Sequence, residues 1–280
     1  MTLLELVRQA NQLYSLPTIC LQLQNAIAQQ ATVGDIAELA TLDTALSARL
    51  LRLANSSFYS FPAQIDTVSR AVKLIGTNEL YNLALATSAV STFNRVPRFL
   101  LDMEAFWKHS LLTGLIARCL GKRLGYRQGE RVFAAGLLHN VGLLMLIEQQ
   151  PDPVKAIIVQ GAGMPRPELE QEVLGFSFAE AGAALLEFWR LPPAMVSLVR
   201  HQNNPLAAGE ESIAAALVLF GKYSALHVQA GFAATDSSDY LKALPIDLFA
   251  HLHGDGDQLA EAIADAMVLA TQVQSIISGG

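Results

Sequence analysis

Apolar residues recur every three or four positions along most of the chain, which is the spacing of one face of an α-helix. The clearest stripe consists of the leucines at positions 39, 42, 46, 50 and 53. Asp43 or Thr44 can cap the start of this helix, and Asn55 with Ser56 can end it. Strand signals are scarce, because no Asn-Gly or Asp-Gly pair separates two runs of alternating polarity. The pattern therefore predicts an all-α protein with roughly a dozen helices.

Two proline-containing stretches interrupt the helical pattern and predict joints. Residues 94–101 include Pro97 and separate a leucine-rich first third from the rest of the chain, and residues 150–167 combine prolines with glycines. We therefore predict an N-terminal helical part over residues 1–97 and a second part over residues 98–280. Near the end, residues 259–277 predict an amphipathic helix. Its predicted inward-facing residues are Ile263, Met267, Ala270 and Val273.

The composition narrows the class of protein. Apolar residues make up 52% and charged residues 16%, so intrinsic disorder is excluded. The net charge of −6 argues against a general nucleic-acid binder. Two cysteines, Cys20 and Cys119, cannot build a disulfide framework and fit a reducing compartment. The longest apolar run, residues 132–147, is shorter than the ~20 residues of a membrane span. We expect a cytoplasmic protein that binds neither nucleic acid nor membrane.

Histidines stand out where the helices are most apolar. His109 shares a predicted helix face with apolar neighbours, so its imidazole is expected to point into the core. His139 and Asn140 lie inside an apolar run, with Gly136 and Gly142 three residues on either side of His139. The glycines predict close approach of neighbouring backbones. Two polar side chains in a core need hydrogen-bond partners or a ligand. The structural explanation is that they bond backbone carbonyls and hold helix layers in register.

Several segments resemble a known family. Residues 136–142 read GLLHNVG and resemble the "GLLHDIG" segment of the HD superfamily of metal-dependent phosphohydrolases. Over residues 10 to 230 the chain resembles the HDOD domain, the HD-related output domain of bacterial signalling proteins. The segments that carry this resemblance are Leu16-Pro17, residues 42–56, residues 68–76, FWKHS at residues 106–110, and WRLP at residues 189–192.

The resemblance implies an all-α HDOD fold, in which an N-terminal helical bundle packs on a degenerate HD-type helical core. An active HD site resembles a set of histidines and aspartates around divalent metal ions, which polarise a phosphoryl oxygen and generate hydroxide. Here asparagine stands where aspartate is expected, and residues 213–219 hold no Asp or Glu for the last ligand. The degenerate HD-site positions are His109, His139, Asn140, Phe178, His201 and Gln202.

These departures imply that the HD chemistry is lost. We expect no catalytic residue and no cofactor. If a weak divalent metal such as zinc binds at all, its ligands are His109, His139 and His201. The proposed role of His109, His139 and Asn140 is a hydrogen-bonded polar core in place of the metal cluster. The alternative is a metal-dependent phosphohydrolase or phosphodiesterase, which needs a carboxylate from elsewhere, such as Glu180.

Basic residues cluster in one short segment of this acidic chain. They could contact a nucleotide phosphate or an acidic partner, or could complement a helix dipole. The cluster consists of Arg118, Lys122, Arg123, Arg127 and Arg131.

Besides the phosphohydrolase alternative, two functional readings follow for a chain that resembles an HDOD domain. The first is a bacterial signal-transduction module without catalysis. It would bind a partner, such as a histidine kinase, a response regulator or a cyclic-dinucleotide enzyme, or a small ligand such as a nucleotide. The second is a cyclic-dinucleotide receptor without turnover, which would use the basic cluster. The oligomeric state is left open.

Overall fold

The computed structural model describes residues 1–14, 16–93, 96, 99–161, 166–231, 252 and 255–277, and no strand occurs within these ranges. The prediction of an all-α protein is confirmed. The helices are α1 (Leu3–Leu13), α2 (Thr18–Ala28), α3 (Val33–Leu42), α4 (Thr44–Ala54), α5 (Val68–Ile75), α6 (Thr77–Phe93), α7 (Met103–Arg123), α8 (Gly129–Leu138), α9 (Val141–Gln149), α10 (Pro151–Gln160), α11 (Pro167–Leu174), α12 (Phe178–Phe188), α13 (Pro193–Arg200), a 3-10 helix (Pro205–Glu211), α14 (Ser212–Gln229) and α15 (Gly256–Ile277).

Short polar side chains define where several helices begin. The Asp43 carboxylate accepts a hydrogen bond from the Leu46 backbone N–H at 2.8 Å and so caps α4, as the sequence predicts. At the other end Asn55 closes the helix, because its side chain bonds both the backbone N–H and the carbonyl of Ile65. Leu42 departs from the predicted stripe. It ends α3 before the cap and is exposed.

The chain divides into two compact units. The first unit comprises residues 1–15 and 95–266, and the second comprises residues 16–94 and 267–280. Helix α1 therefore belongs with the later helices of the chain, and α15 contributes residues to both units. The boundary that we predict lies between Pro97 and Arg98, which are outside the described residues, so that boundary stays a prediction.

The second unit is built around α6. Most residues of α6 from Leu80 to Val90 are buried. Helices α2 and α4 pack against it, and α3 packs on α5. A smaller apolar cluster of Ala54, Ile65 and Ala71 fills the space next to the turn that follows α4.

The first unit is organised by close helix crossings at glycines. A Cβ atom on Gly136 of α8 would lie 2.5 Å from the Gly114 Cα of α7, so glycine is required for these backbones to meet. Gly221 of α14 meets α7 in the same way at the Thr113 carbonyl, and Gly142 of α9 meets α12 at the Phe178 carbonyl. The close approach predicted from Gly136 and Gly142 is therefore present.

Two further predictions concern apolar stretches. Helix α15 forms as predicted, with Ile263 and Val273 buried, but Met267 is exposed, so the predicted inward stripe is wrong at that residue. Residues Gly129–Gln149 are long and apolar enough to cross a membrane, yet 83% of the apolar window is buried inside the protein. Such burial is typical of the core helix of a soluble protein.

Candidate functional site

Two histidines of the predicted HD positions meet in the core of the first unit. His109 lies in α7 and His139 directly follows α8, and their ring centroids are 5.2 Å apart. The crossing of α7 and α8 at Gly114 and Gly136 brings these two segments together. His109 is 8% exposed and His139 is fully buried, so both imidazoles are removed from bulk water.

The hydrogen bonds of His139 define its tautomer. Its Nδ1 lies 2.6 Å from the Gly136 carbonyl oxygen, and because a carbonyl can only accept, Nδ1 carries the proton. The Nε2 atom is then a lone-pair acceptor. Neither His139 Nε2 nor His109 Nδ1 has a hydrogen-bond partner among the described residues. Burial lowers the pKa of His109 to about 4 and lowers that of His139 well below its usual value, so both rings are neutral near pH 7.

Gln202 links the histidines to the end of α13. Its side-chain amide donates to the His139 carbonyl oxygen at 2.6 Å and to the Val199 carbonyl oxygen at 3.0 Å. Its own oxygen accepts a hydrogen bond from the Lys222 ammonium at 3.3 Å. Gln202, one of the predicted HD positions, therefore contacts His139. The same hydrogen-bond network includes Lys222, which the sequence motif does not predict.

That residue, Lys222, is the central cation of the site. It lies in α14, its side chain is 3% exposed, and its Nζ also donates to the Asn203 side-chain oxygen at 2.5 Å. Burial lowers the pKa of Lys222 to about 8, although the nearby Glu170 carboxylate favours the charged form. The sequence carries a signal for it, since Lys222 is the one Asp, Glu, Lys or Arg residue in the apolar sequence of α14. A lone lysine in an apolar helix is either snorkelling to the surface or functional.

Glu170 is a buried carboxylate, the type of side chain that an HD-type metal site requires. It lies in α11, is 4% exposed, and accepts a hydrogen bond from the Phe178 backbone N–H at 2.7 Å. Burial raises the pKa of Glu170, while the Phe178 N–H and the positive charge of Lys222 oppose that rise. Glu180, which the phosphohydrolase alternative requires, is committed elsewhere. It forms a capping box with Ser177 at the start of α12.

The remaining predicted positions are less involved. Asn140 is half-buried at the start of α9, and its side chain makes no capping hydrogen bond there. Phe178 is buried at the start of α12, where its backbone N–H donates a hydrogen bond to the Glu170 carboxylate. His201 ends α13, and its Nδ1 lies 3.2 Å from the Ser197 hydroxyl and 3.1 Å from the Ser197 carbonyl.

The HD superfamily implies a divalent metal here, and the residues present do not fit one. No group of three or more His, Cys, Asp or Glu side chains that could hold a metal occurs in the described part of the chain. The buried Lys222 ammonium is close enough to lower the pKa of both histidines, so it would also repel a metal cation. A site with two neutral imidazoles and an ammonium lacks the anionic ligands that divalent cations need.

Comparison with known proteins decides the family. A model of the HDOD domain family matches residues 13–205. The chain belongs to the HDOD domain family.

Solved structures confirm the fold of this HDOD protein. The crystal structure of a Shewanella amazonensis SB2B protein, provisionally named a phosphohydrolase, is 29% identical with a TM-score of 0.75 and covers 96% of this chain and 97% of that one. An HDOD domain protein of unknown function from Geobacter sulfurreducens is 22% identical with a TM-score of 0.75, covering 98% and 97%.

One curated relative is longer than this HDOD protein. It is an uncharacterised protein of Treponema pallidum (strain Nichols), 29% identical over 200 residues. These residues are 70% of this chain but span 38% of the length of that relative. The activity and partners of the whole relative therefore do not transfer to this chain.

The basic cluster of the HDOD protein is largely engaged in ion pairs. Arg131 makes two hydrogen bonds to the Glu211 carboxylate, at 3.1 and 2.7 Å. Arg118 pairs with Glu130 at 3.4 Å, and Arg123 pairs with Glu261 and with Asp265 of α15. The described contacts of Lys122 and Arg127 include no ion pair, and both residues are exposed. These pairs neutralise three of the five predicted phosphate-binding residues, and phosphate binding by the cluster stays a prediction.

Proposed function

We propose that this HDOD protein is a regulatory module without catalysis, and that it acts by binding. One observation carries the proposal. In the helical core where related proteins would assemble a metal centre, this chain places the buried Lys222 ammonium beside Gln202 and within electrostatic reach of His109 and His139. Membership of the HDOD family supports a regulatory role.

The chemistry of metal-assisted phosphoryl transfer explains why Lys222 matters. A divalent ion must be held by anionic ligands, and it must lower the pKa of a bound water to supply hydroxide. Among the described residues Glu170 is the one buried carboxylate, its charge acts on Lys222, and it accepts a hydrogen bond from the Phe178 backbone N–H. An ammonium in that position favours anions over cations. The phosphohydrolase alternative therefore lacks both its ligands and the required polarity.

The proposed partner is a signalling protein, as the resemblance to HDOD domains implies. A module without its own catalysis passes on a signal by contacting another protein, and the expected partners are a histidine kinase, a response regulator or a cyclic-dinucleotide enzyme in a bacterial cytoplasm. Two free and buried thiols, Cys20 and Cys119, support a reducing compartment.

The experiment is a measurement of metal content combined with a phosphodiesterase assay. The purified protein is incubated with manganese, iron and zinc, dialysed, analysed by elemental mass spectrometry, and then assayed with bis(p-nitrophenyl) phosphate. We expect no retained metal and no hydrolysis. The matched variants are His139→Ala, inside the site, and His227→Ala, a half-buried histidine near the C-terminal end of α14 that is not one of the degenerate HD positions. Retained metal that disappears in His139→Ala and persists in His227→Ala would overturn the proposal.

A further inference from the structure

The positive charges of the second unit are gathered on two helices that contact each other, α4 and α5. Every basic side chain of residues 16–94 lies on one of these helices, namely Arg49, Arg52, Arg70 and Lys73. Arg52, Arg70 and Lys73 are exposed, and none of them makes an ion pair within the described part of the chain. The basic cluster of the first unit differs, because three of its five side chains are paired with acids.

The turn between α4 and α5 brings Arg52 and Arg70 to the same place. Asn55 lies three residues after Arg52, so the two are neighbours on the helix surface. The Asn55 side chain bonds both the backbone N–H and the carbonyl oxygen of Ile65, each at 2.7 Å. On the other side, the Arg70 guanidinium donates to the carbonyl oxygen of Gln64 at 3.4 Å. Because Gln64 directly precedes Ile65, the two arginines flank the same end of the turn.

Partly exposed apolar side chains border this turn as well. Phe61 is half-buried and packs on the small apolar cluster next to the turn. The Tyr59 ring stacks on the Phe61 ring, with parallel planes and centroids 5.4 Å apart. Leu74 of α5 is 50% exposed and directly follows Lys73, which lies one helical turn after Arg70. The surface therefore combines unpaired cations with apolar and aromatic contact area.

The acids of the second unit do not neutralise this surface. Asp35 belongs to the capping box of α3, and Asp43 caps α4, so both carboxylates are held by backbone N–H groups. Asp66 is exposed in the turn and offsets one of the three positive charges. The whole chain carries a net charge of −6, so a surface with unpaired positive charge is exceptional in it. Exposed charges of one sign attract partners of the opposite sign.

We propose that this surface, the α4–α5 patch of Arg52, Arg70, Lys73, Tyr59 and Phe61, binds an acidic segment of a partner protein. The carboxylates of the segment pair with the three cations, and an apolar or aromatic residue between them packs beside the stacked rings. A nucleic acid fits less well, since its phosphates would extend beyond the patch over the acidic remainder of the chain. This inference rests on the proposed function, because it states where and by what chemistry the module binds a protein.

The test is fluorescence anisotropy of the dye-labelled peptide EEDWEEL, titrated with the full-length protein. We expect saturable binding that weakens several-fold when the salt concentration is raised from about 50 to about 150 mM, because exposed ion pairs are screened. The peptide EEDGEEG has the same charge but no apolar side chain. It should bind about tenfold more weakly, since it loses the burial of the aromatic ring.

A triple variant locates the binding. Replacing Arg52, Arg70 and Lys73 together by Gln should raise Kd by about tenfold or more, because each exposed ion pair contributes up to about fivefold. The three side chains are exposed, so the variant should fold, and its melting temperature verifies this. The matched control replaces three exposed basic residues of the first unit by Gln: Arg8, Lys108 and Lys155. It changes the net charge equally and should bind the peptide as the wild type does.

The outcomes separate this inference from the proposed function. If EEDWEEL does not bind, or if both triple variants weaken its binding equally, the α4–α5 patch is not an acidic-peptide site, while the absence of metal chemistry still stands. Tighter binding of a short oligothymidylate, lost in the patch variant alone, would assign the patch to nucleic acid and likewise overturn the inference. Retained metal in the experiment described above would overturn the proposed function without changing peptide binding, because the patch residues lie outside the first unit.

Discussion

The buried charge of Lys222 should leave a clear signature in the pH dependence of stability. Its pKa falls from 10.5 to about 8 in the folded protein. Each unit of pKa corresponds to about 1.4 kcal/mol, so keeping this lysine charged in the core costs roughly 3 kcal/mol relative to water. Below pH 8 the folded and unfolded states both hold the proton. Between pH 8 and 10.5 the unfolded chain binds a proton that the folded chain has released, so the contribution of Lys222 to the free energy of unfolding rises with pH.

The perturbation that isolates this contribution is Lys222→Met, which keeps an unbranched side chain one heavy atom shorter and removes the charge. The free energy of unfolding of the wild type minus that of the variant should rise by about 2–3 kcal/mol between pH 7 and pH 10. Taking the difference cancels the other titrating groups, such as Cys119, whose pKa burial raises to about 11.

Urea denaturation followed by tryptophan fluorescence is a suitable assay. Both tryptophans, Trp107 and Trp189, belong to the same unit as Lys222, so the signal reports unfolding of the relevant part of the chain. Lys155→Met, at an exposed position of α10, is the control and should leave the pH dependence unchanged. A difference between wild type and Lys222→Met that stays constant or falls from pH 7 to pH 10 would refute the argument.

Five further substitutions, two of them controls, test the packing and pairing described above. Gly142→Ala should lower the free energy of unfolding by about 1–3 kcal/mol or more, because the added Cβ would overlap the backbone of α12. At Gly34 a Cβ has room, so Gly34→Ala should raise the free energy of unfolding by about 0.5–1 kcal/mol. Denaturant titration measures both changes. His139→Ala should lower the melting temperature by an amount equivalent to about 1–3 kcal/mol, because it removes a buried ring, and an unchanged melting temperature would contradict this. Arg131→Ala should cost about 1 kcal/mol and Arg127→Ala under about 0.5 kcal/mol, and equal effects in thermal unfolding would argue against a stabilising ion pair.

Local sequence patterns predict much of this fold, because helix formation and helix capping depend mainly on interactions between residues that are close in the sequence. Helical periodicity identifies the helices, and Asp43 is found as a cap because a carboxylate next to free backbone N–H groups needs no distant partner. Gly136 and Gly142 mark helix crossings because the absence of a side chain is itself the requirement. Met267 and Leu42 are exposed although the pattern predicts that they are buried. The reason is that periodicity identifies the apolar face of a helix but not the element that packs against that face.

The site is harder to predict because its members come from distant helices. The HD motif identifies His109 and His139 and predicts an acidic residue within residues 213–219. The charged residue that decides the chemistry is instead a lysine three residues further along the chain, Lys222. Nothing in the sequence near Glu170 indicates that its charge acts on Lys222, because the two residues are far apart along the chain and only the tertiary fold relates them. The ion pair of Arg131 with Glu211 likewise cannot be predicted from the local cluster of basic residues, because its two members are 80 residues apart along the chain.

The assignment of α1 to the first unit has a consequence for how the protein is made. This helix packs on α9 and α12, but α12 begins about 165 residues after α1 ends. At ~5–20 residues per second, the ribosome needs roughly ten to thirty seconds to supply that partner. An isolated helix of 11 residues is only marginally stable in water, so the amphipathic segment stays unfolded during this interval. Helices α2 to α6 of the second unit follow α1 in the chain and can begin to fold meanwhile, whereas residues 267–280 of that unit are synthesised last. The nascent chain exposes the apolar face of α1 to chaperones until the late helices emerge.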